Sequence, residues 1–262
     1  MSSLLEKTRT VNRLALKSIG KTPDFSYVAE VLTDILEASA YILDKEGIIL
    51  GYSYQKGLIC DVIKDITEER GIFPSSFNDR LNIITETFAN YTQIENSCVF
   101  SEKSCFYSNK TVTMIPIVGP GARFGTLVLA RLDKHFTDED LILGECAATV
   151  IALELIRANS KKKEEEARKR AAVQIALATL SYSELDAIQN IFEVLGGDEG
   201  LLVASRIADR VGITRSVIVN ALRKFESAGI IESRSLEMKG TYIRILNEHL
   251  QKELEKLNSL KR

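Results

Sequence analysis

The chain has few of the residue types on which most enzyme and metal sites depend. Its 262 residues include two histidines, His135 and His249, and four cysteines. The scarcity of histidine disfavours a Ser-His-Asp triad and a His-based metal site. Because no CxxC pair occurs, neither a zinc ribbon nor a redox motif is indicated. The glycine-rich segment 119–125 lacks the lysine and the helix of a phosphate-binding loop, which favours a hairpin turn. We therefore expect no enzyme, no catalytic residues, no metal site and no resident cofactor.

Long apolar runs are also absent. No segment approaches the roughly 20 apolar residues needed to span a bilayer, and the amphipathic segment 1–20 lacks the apolar block of a signal peptide. These absences predict a cytoplasmic protein without a membrane partner. The formal net charge of −2 does not by itself indicate nucleic acid, but the distribution of charge matters more than the sum.

The first 156 residues mix helical and strand patterns. Apolar residues recur at helical spacing in three segments, and β-rich runs flank turns in two predicted hairpins. The predicted helices and strands are 3–19, 24–36, 40–43, 48–50, 58–69, 111–118 and 126–132. Helices, then a meander of strands, then a further helix make an α+β pattern. This order is typical of a sensor domain of the GAF or PAS kind, which we assign to residues 1–156.

One long helix is predicted from Thr137 to Leu180. It begins at a capping box formed by Thr137 and Asp140. Its charged run 161–170 places acids and bases at i,i+4, which is typical of a solvated helix surface. The expected pairs are Glu164/Arg168, Glu165/Lys169 and Glu166/Arg170. We interpret residues 157–180 as a linker helix between two domains.

Residues 181–262 carry the pattern of a winged helix-turn-helix. A capping box at Ser181 and Glu184 begins one helix. A short helix including Leu202 then leads to a turn at Gly212, and Thr214 is placed to cap the next helix. Two short strands, 230–234 and 241–245, follow as a wing. In such modules the second helix of the motif enters the DNA major groove, led by its N-terminal residues.

The residues expected to contact DNA combine outward positions with suitable hydrogen-bonding groups. Arginine pairs with guanine edges, asparagine with adenine, and serine or threonine with bases or phosphates. The set is Ser205, Arg206, Thr214, Arg215, Ser216, Asn220, Arg223 and Lys239. Further cations expected to face outward are Lys224, Arg234 and Arg244. The glycine turn, the cap and the wing disfavour the alternative of a generic three-helix packing module.

The chain resembles the CodY family from end to end, most specifically in its last third. The likeness is carried by residues 4–9, 124–129, 180–184, 199–224, 226–235 and 238–241. The resemblance implies a homodimer or tetramer that binds an AT-rich palindromic operator in double-stranded DNA. It also implies repression of nutrient-scavenging, amino-acid biosynthesis and stationary-phase genes, with Arg215, Ser216 and Arg223 at recognition-helix positions.

The resemblance also implies a small-molecule effector, a branched-chain amino acid (isoleucine above all, with leucine and valine) in the GAF domain. The residues carried over are Val62, Ile63, Ile66, Phe73, Pro74, Phe77, Cys98, Phe100 and Ser101. Val62 stands where the family has an arginine that meets the ligand carboxylate, so another partner is required. Backbone amides, Lys64 or Arg70 are the candidates. Without the resemblance, core packing would be the simpler interpretation of these apolar residues.

GTP is the second effector that the family implies. The matching positions are Asp44, Glu46, Ile48, Glu154 and Asn159. A triphosphate favours positive charge or exposed amides, whereas the hairpin carries two carboxylates and Asn159 replaces a lysine. The sequence therefore argues against a GTP response at this site, and the absence of a Walker lysine motif argues against nucleotide hydrolysis.

Three alternatives remain at this point. A winged-helix regulator of another metabolite would bind a different ligand in the sensor. An enzyme of GAF fold would turn over its ligand, and a structural chromosome-binding protein would bind DNA regardless of metabolites.

Overall fold

The computed structural model describes residues 3–17, 23–92, 98–100, 105, 107, 109–236 and 240–260. The chain divides into two compact units, Met1–Ser160 and Lys161–Arg262. Among the described helices, none combines the length and apolar character needed to cross a membrane.

The first unit is built on one antiparallel sheet with the strand order β2-β1-β5-β4-β3. Its elements are α1 (Leu4–Lys17), α2 (Phe25–Leu36), β1 (Ser39–Asp44), β2 (Ile49–Ser53), α3 (Asp61–Lys64) with a following π-helical turn (Asp65–Arg70), α4 (Ser75–Asn82), β3 (Phe88–Thr92), β4 (Lys110–Gly119), β5 (Ala122–Leu132) and the start of α5 (Asp138–Ala178).

Helices cover both faces of this sheet because successive strand residues point to opposite sides. On one face, α1, α2 and α5 enclose a core that includes Leu32, Ile42 and Ile151. On the other face, α3, the π-helical turn and α4 contribute to a second core that includes Leu43 and Phe77. The second face is the one that holds the cavity described below.

The second unit packs helices against a small sheet with the strand order β6-β8-β7. Its elements are α6 (Tyr182–Leu195), β6 (Glu199–Leu202), α7 (Ala204–Val211), α8 (Arg215–Ser227), β7 (Ile231–Ser235), β8 (Thr241–Ile245) and α9 (His249–Leu260). Its core includes Ile188 and the fully buried Phe225, together with Val173 and Leu177 from the end of α5.

The predicted α+β class is confirmed, and so are the capped starts of α2, α5 and α6. Asp24 caps α2 by accepting the Tyr27 N–H at 3.0 Å. Thr137 and Asp140 form the reciprocal capping box before α5, with N–O distances of 3.0 and 3.3 Å. The same arrangement joins Ser181 and Glu184 at the start of α6. These signals are local, since each depends on residues three positions apart.

Several helices and strands of the structure differ from those predicted from the sequence. The short helix α4, the strand β3 and the last helix α9 were not predicted. Leu202, expected in a helix, instead ends β6, which pairs with β8. A four-residue strand of this kind is specified by its partner strand more than by its own pattern.

The predicted i,i+4 ion pairs of the charged run are wrong. Arg168 pairs with Glu165 at i,i+3, and other members of the run pair across to residues before or in α9. These contacts are Glu166–His249 (2.9 Å), Lys169–Glu248 (3.0 Å) and Arg170–Glu253 (3.0 Å). The run is therefore partly a packing surface within the second unit, because neighbouring residues offer opposite charges there.

Candidate functional site

Helices α7 and α8 form a helix-turn-helix. Gly212 ends α7 with φ of 72°, a conformation that glycine adopts without steric cost, and its N–H donates to the Ala208 carbonyl. Thr214 occupies the N-cap position of α8 as predicted, but its side chain makes no cap hydrogen bond. Its hydroxyl lies 2.8 Å from the Ser216 hydroxyl instead. Both hydroxyls are therefore exposed together at the N-terminus of α8.

The outer face of the helix-turn-helix carries the polar residues expected to contact DNA. Buried Ile218, Ala221 and Leu222 fix the inner face of α8. The predicted residues that are exposed are Ser205, Arg206, Thr214, Arg215, Ser216, Asn220 and Arg223. Lys239 lies outside the described residues.

Two arginines on this face, Arg215 and Arg223, can bind an anion. Among the described residues, neither Arg215 nor Arg223 has an ion-pair partner. Eight residues of helix separate them by about 12 Å along the axis. Two unneutralised guanidinium groups beside exposed hydroxyl and amide groups can bind phosphates and base edges.

Lys224, expected to face outward, is instead bound within the unit. Its ammonium donates to the Glu184 carboxylate at 2.7 Å and to the Thr179 carbonyl at 3.0 Å. This ammonium is the main reason that the pKa of Glu184 is lowered. Lys224 therefore connects α8 to the start of α6, a role that helical spacing alone could not distinguish from a DNA contact.

The wing offers less free charge than its sequence suggested. Arg234 donates to Glu232 at 2.7 and 3.0 Å, and Arg244 lies 3.7 Å from Glu199. An arginine already paired with a carboxylate has less to gain from a phosphate. The unpaired arginines of α8 are therefore the stronger candidates for DNA contact.

An apolar cavity of about 70 Å³ lies against the second face of the first unit's sheet. One water molecule occupies roughly 10–15 Å³ on the same measure, so the cavity has room for several waters or a small aliphatic group. Phe73, Phe77 and Phe100 form part of its wall, with ring centroids 4.9 to 5.8 Å apart. Such a wall favours an apolar ligand.

The structure brings five of the predicted effector residues together at this cavity, namely Ile63, Phe73, Phe77, Cys98 and Phe100. Three others do not line it. Ile66 is buried in the adjacent core, Val62 is half-buried beside that core, and Pro74 occupies the N-cap position of α4. Ser101 lies outside the described residues.

The sheet provides a part of the cavity that was not predicted from the sequence. The strand residues there include Tyr41, Tyr91, Lys110, Val112, Met114 and Val128. Burial raises the pKa of the Tyr41 hydroxyl, so it stays protonated near neutral pH. The alternation of 110, 112 and 114 was the available signal, since residues two apart share a face.

Lys64 and Arg70, the two side chains predicted as partners of the ligand carboxylate, do not line the cavity. Lys64 is exposed on α3. Arg70 is also exposed, and its guanidinium lies 2.7 Å from the Asp65 carboxylate. Neither residue therefore reaches this cavity.

The residues predicted for a GTP site carry no positive charge. Asp44 accepts the N–H of Ile48 at 2.8 Å and so holds its own turn, and burial raises its pKa. Glu46 is exposed and lies 3.5 Å from Lys45. These carboxylates do not fit a triphosphate.

The two remaining positions of this set lie on α5. Glu154 is 2% exposed, and one of its oxygens accepts from Arg157 at 2.8 Å. Its other oxygen is buried without a hydrogen-bond partner among the described residues. Asn159 is exposed. Glu154 could accept a hydrogen bond from a base, but neither residue adds a cation for phosphate.

One group of possible metal ligands occurs among the described residues. Glu166, Glu248 and His249 place ligand atoms within 4.8 Å of one another. His249 already contacts Glu166 at 2.9 Å, and Glu248 contacts the Lys169 ammonium at 3.0 Å. These internal partners account for the arrangement, with the lysine supplying the positive charge.

Comparison with known proteins finds one family model for the sensor domain and one for the helix-turn-helix domain. The family model described as the CodY GAF-like domain matches residues 3–179, and that described as the CodY helix-turn-helix domain matches residues 198–258. The protein is thus a DNA-binding transcriptional regulator that combines a GAF domain with a helix-turn-helix domain. The chain belongs to the CodY family of global transcriptional regulators.

Relatives match the chain over nearly its full length. The global transcriptional regulator CodY of Clostridium botulinum is 53% identical over 258 residues, covering 98% of this chain and 100% of the relative. That of a Thermoanaerobacter species is 56% identical over 257 residues, covering 98% and 99%. A solved structure, the cofactor-binding GAF domain of the nutrient sensor CodY from Clostridium difficile, is 31% identical. It covers 59% of this chain and 99% of that one, with a TM-score of 0.42.

Proposed function

We propose that this chain is a homodimeric repressor whose affinity for an AT-rich palindromic operator increases when the GAF domain binds isoleucine, leucine or valine. Its targets are nutrient-scavenging, amino-acid biosynthesis and stationary-phase genes, and it has no catalytic activity. The domains are the sensor (1–156), a linker helix (157–180) and the DNA-binding domain (181–262). The observation that carries the effector class is the apolar, aromatic-walled cavity against the sheet.

The proposed DNA contact is made by the outer face of α8 and the N-terminus of α7. Support comes from Arg215 and Arg223, which are exposed and have no ion-pair partner within the described ranges, beside Ser216 and Asn220. Two copies related by a twofold axis would present two such helices to half-sites about one helical turn apart. The operator should therefore lose affinity when its half-sites are moved apart by half a turn.

The proposed link between the sites is α5. Its first half contributes Leu143 and Ile151 to the core under the sheet, and its last turns contribute Val173 and Leu177 to the core of the second unit. A ligand can shift the DNA-competent state only by binding that state more tightly. A continuous helix that belongs to both cores is a suitable element for that coupling.

The test is fluorescence anisotropy of the full chain on a labelled palindromic duplex at one fixed salt concentration, because affinity depends steeply on salt. We expect tighter binding with millimolar isoleucine and no further gain with GTP. Arg215→Ala should weaken operator binding by about 5- to 150-fold for each copy. Arg80→Ala, which removes an exposed cation from the sensor unit, is the matched control and should bind as wild type does.

Each contrary result removes one part of the proposal. Unchanged affinity in Arg215→Ala would remove the recognition-helix assignment. A gain with GTP would contradict the charge argument at Asp44 and Glu46. Tight binding that ignores isoleucine would favour a different metabolite as effector, and indifference to every metabolite tried would favour a structural DNA-binding role.

A further inference from the structure

Lys110 is the charged residue that the fold places in the cavity wall. It is the first residue of β4, and it shares a strand face with Val112 and Met114, which line the same cavity. Antiparallel pairing of Lys110 with Leu132 of β5 fixes this register. A one-residue slip would turn the lysine to the opposite face, into the core under α2 and α5.

Lys110 is a cation with no anionic partner in the part of the chain that the structure describes. Among the described residues that line the cavity, Lys110 alone carries a charged side chain. It is half-buried, and its ammonium lies 3.9 Å from the Cys105 thiol, which is a weak acceptor. Within the described part of the chain, no carboxylate lies within ion-pair distance of it. A partly buried cation is stabilised by an anionic partner, which a ligand can supply.

The other basic groups named for this role are disposed differently. Lys64 is exposed on the outer side of α3, and Arg70 is neutralised by Asp65. The element that supplies the cation is therefore a strand of the sheet and not the helix that carries Val62.

We propose that Lys110 binds the carboxylate of the effector, and that the cavity selects aliphatic monocarboxylates whose branched chain contacts the phenylalanine wall. This inference rests on the proposed sensor function and specifies its ligand chemistry. The ammonium of Lys110 offers three N–H donors to the carboxylate, which takes the place of the weak contact with the Cys105 thiol. An amine of the same carbon skeleton without a carboxylate lacks this interaction and is repelled by the like charge.

The experiment is isothermal titration calorimetry of the full chain with three probes. They are L-isoleucine, 2-methylbutylamine (which lacks the carboxylate) and 3-methylpentanoate (which lacks the amine). Wild-type protein should bind isoleucine and fail to bind 2-methylbutylamine. Lys110→Met should weaken isoleucine binding about ten- to hundredfold, since a charged hydrogen bond is lost. Lys110→Arg should recover part of that loss, and the matched control Lys64→Met should bind isoleucine as wild type does.

The outcomes separate this inference from the proposed function. Wild-type binding of isoleucine with equal affinity in Lys110→Met would overturn the role of Lys110 and leave isoleucine as effector. If the wild type binds 3-methylpentanoate but not isoleucine, and Lys110→Met loses this binding, the role of Lys110 is supported and the amino-acid effector is overturned. Preference of the wild type for 2-methylbutylamine over 3-methylpentanoate would overturn the inference without any variant, so misfolding of Lys110→Met would not protect it. Binding of none of the three probes would overturn both proposals.

Discussion

Arg223 and Lys224 are neighbours on α8, and replacing each of them by methionine should have different consequences. Loss of Arg223 should weaken operator binding, whereas loss of Lys224 should lower the stability of the module. Arg223 is exposed and has no ion-pair partner among the described residues, whereas Lys224 binds the Glu184 carboxylate at 2.7 Å. Both substitutions keep an unbranched aliphatic stem and remove one positive charge. The pair therefore separates a DNA contact from a contact that stabilises the module.

The expected magnitudes follow from the contacts. A hydrogen bond to a charged group contributes about 1.5–3 kcal/mol. The side chain of Lys224 is 39% exposed, so solvent screening reduces the expected loss in Lys224→Met to about 1–2 kcal/mol. Arg223→Met should change the free energy of unfolding by less than about 0.5 kcal/mol, because Arg223 is exposed and makes no ion pair with another described residue. It should weaken operator binding by about 1–3 kcal/mol for each half-site.

Hydrogen–deuterium exchange of the α6 and α8 amides in the full chain measures the stability of this module directly. Where exchange requires unfolding of the module, Lys224→Met should accelerate it by a factor of about 5–30, and Arg223→Met should leave it unchanged. Anisotropy on the operator should rank the two variants the other way. If Lys224→Met shows normal exchange but loses operator affinity, the lysine contacts DNA and its ion pair with Glu184 is not formed.

Two further predictions concern stability. Gly125→Ala should destabilise the first unit by about 1–3 kcal/mol, because the added Cβ would lie much closer to the Leu43 carbonyl oxygen than van der Waals contact allows. Urea unfolding checks this, with Gly197→Ala, where a Cβ meets open space, as the neutral control. Hydrogen bonding to Lys256 above all lowers the pKa of Glu253 from 4.5 to about 2, so its ionised form stabilises the fold above pH 4.5 and this contribution fades as the pH falls through about 2. Glu253→Gln should therefore unfold at lower urea than wild type at pH 7, and an equal difference between the two proteins at pH 2 would contradict this assignment.

Local sequence signals predicted the features that depend on residues close together in the chain. The capping boxes at Thr137 and Ser181 mark helix starts, because the side chain and the backbone N–H that it caps are three residues apart. Gly212 marks the turn of the helix-turn-helix, because a left-handed residue is needed there. The apolar periodicity of α8 separated its buried face from the face that carries Arg215 and Arg223.

Residue roles that depend on distant partners were not predictable in this way. Lys224 and Arg223 look alike in sequence, and only the position of Glu184, forty residues away, distinguishes them. The pairing of Arg170 with Glu253 likewise replaced the expected contact within one helix. In each case the competing interactions are similar in energy locally, so the tertiary neighbour decides between them.

The apolar cavity of the first unit shows the same division. The sequence by itself determined that the aromatic residues Phe73, Phe77 and Phe100 are buried, since they are strongly apolar, and only the family resemblance assigned them to a ligand site. Only the tertiary structure decided that strand β4 closes the opposite side and that its first residue, Lys110, brings a positive charge to the cavity. The physical reason is strand register: the face on which a residue lies depends on its hydrogen bonds to β5, and the sequence predicted that hairpin without fixing its register.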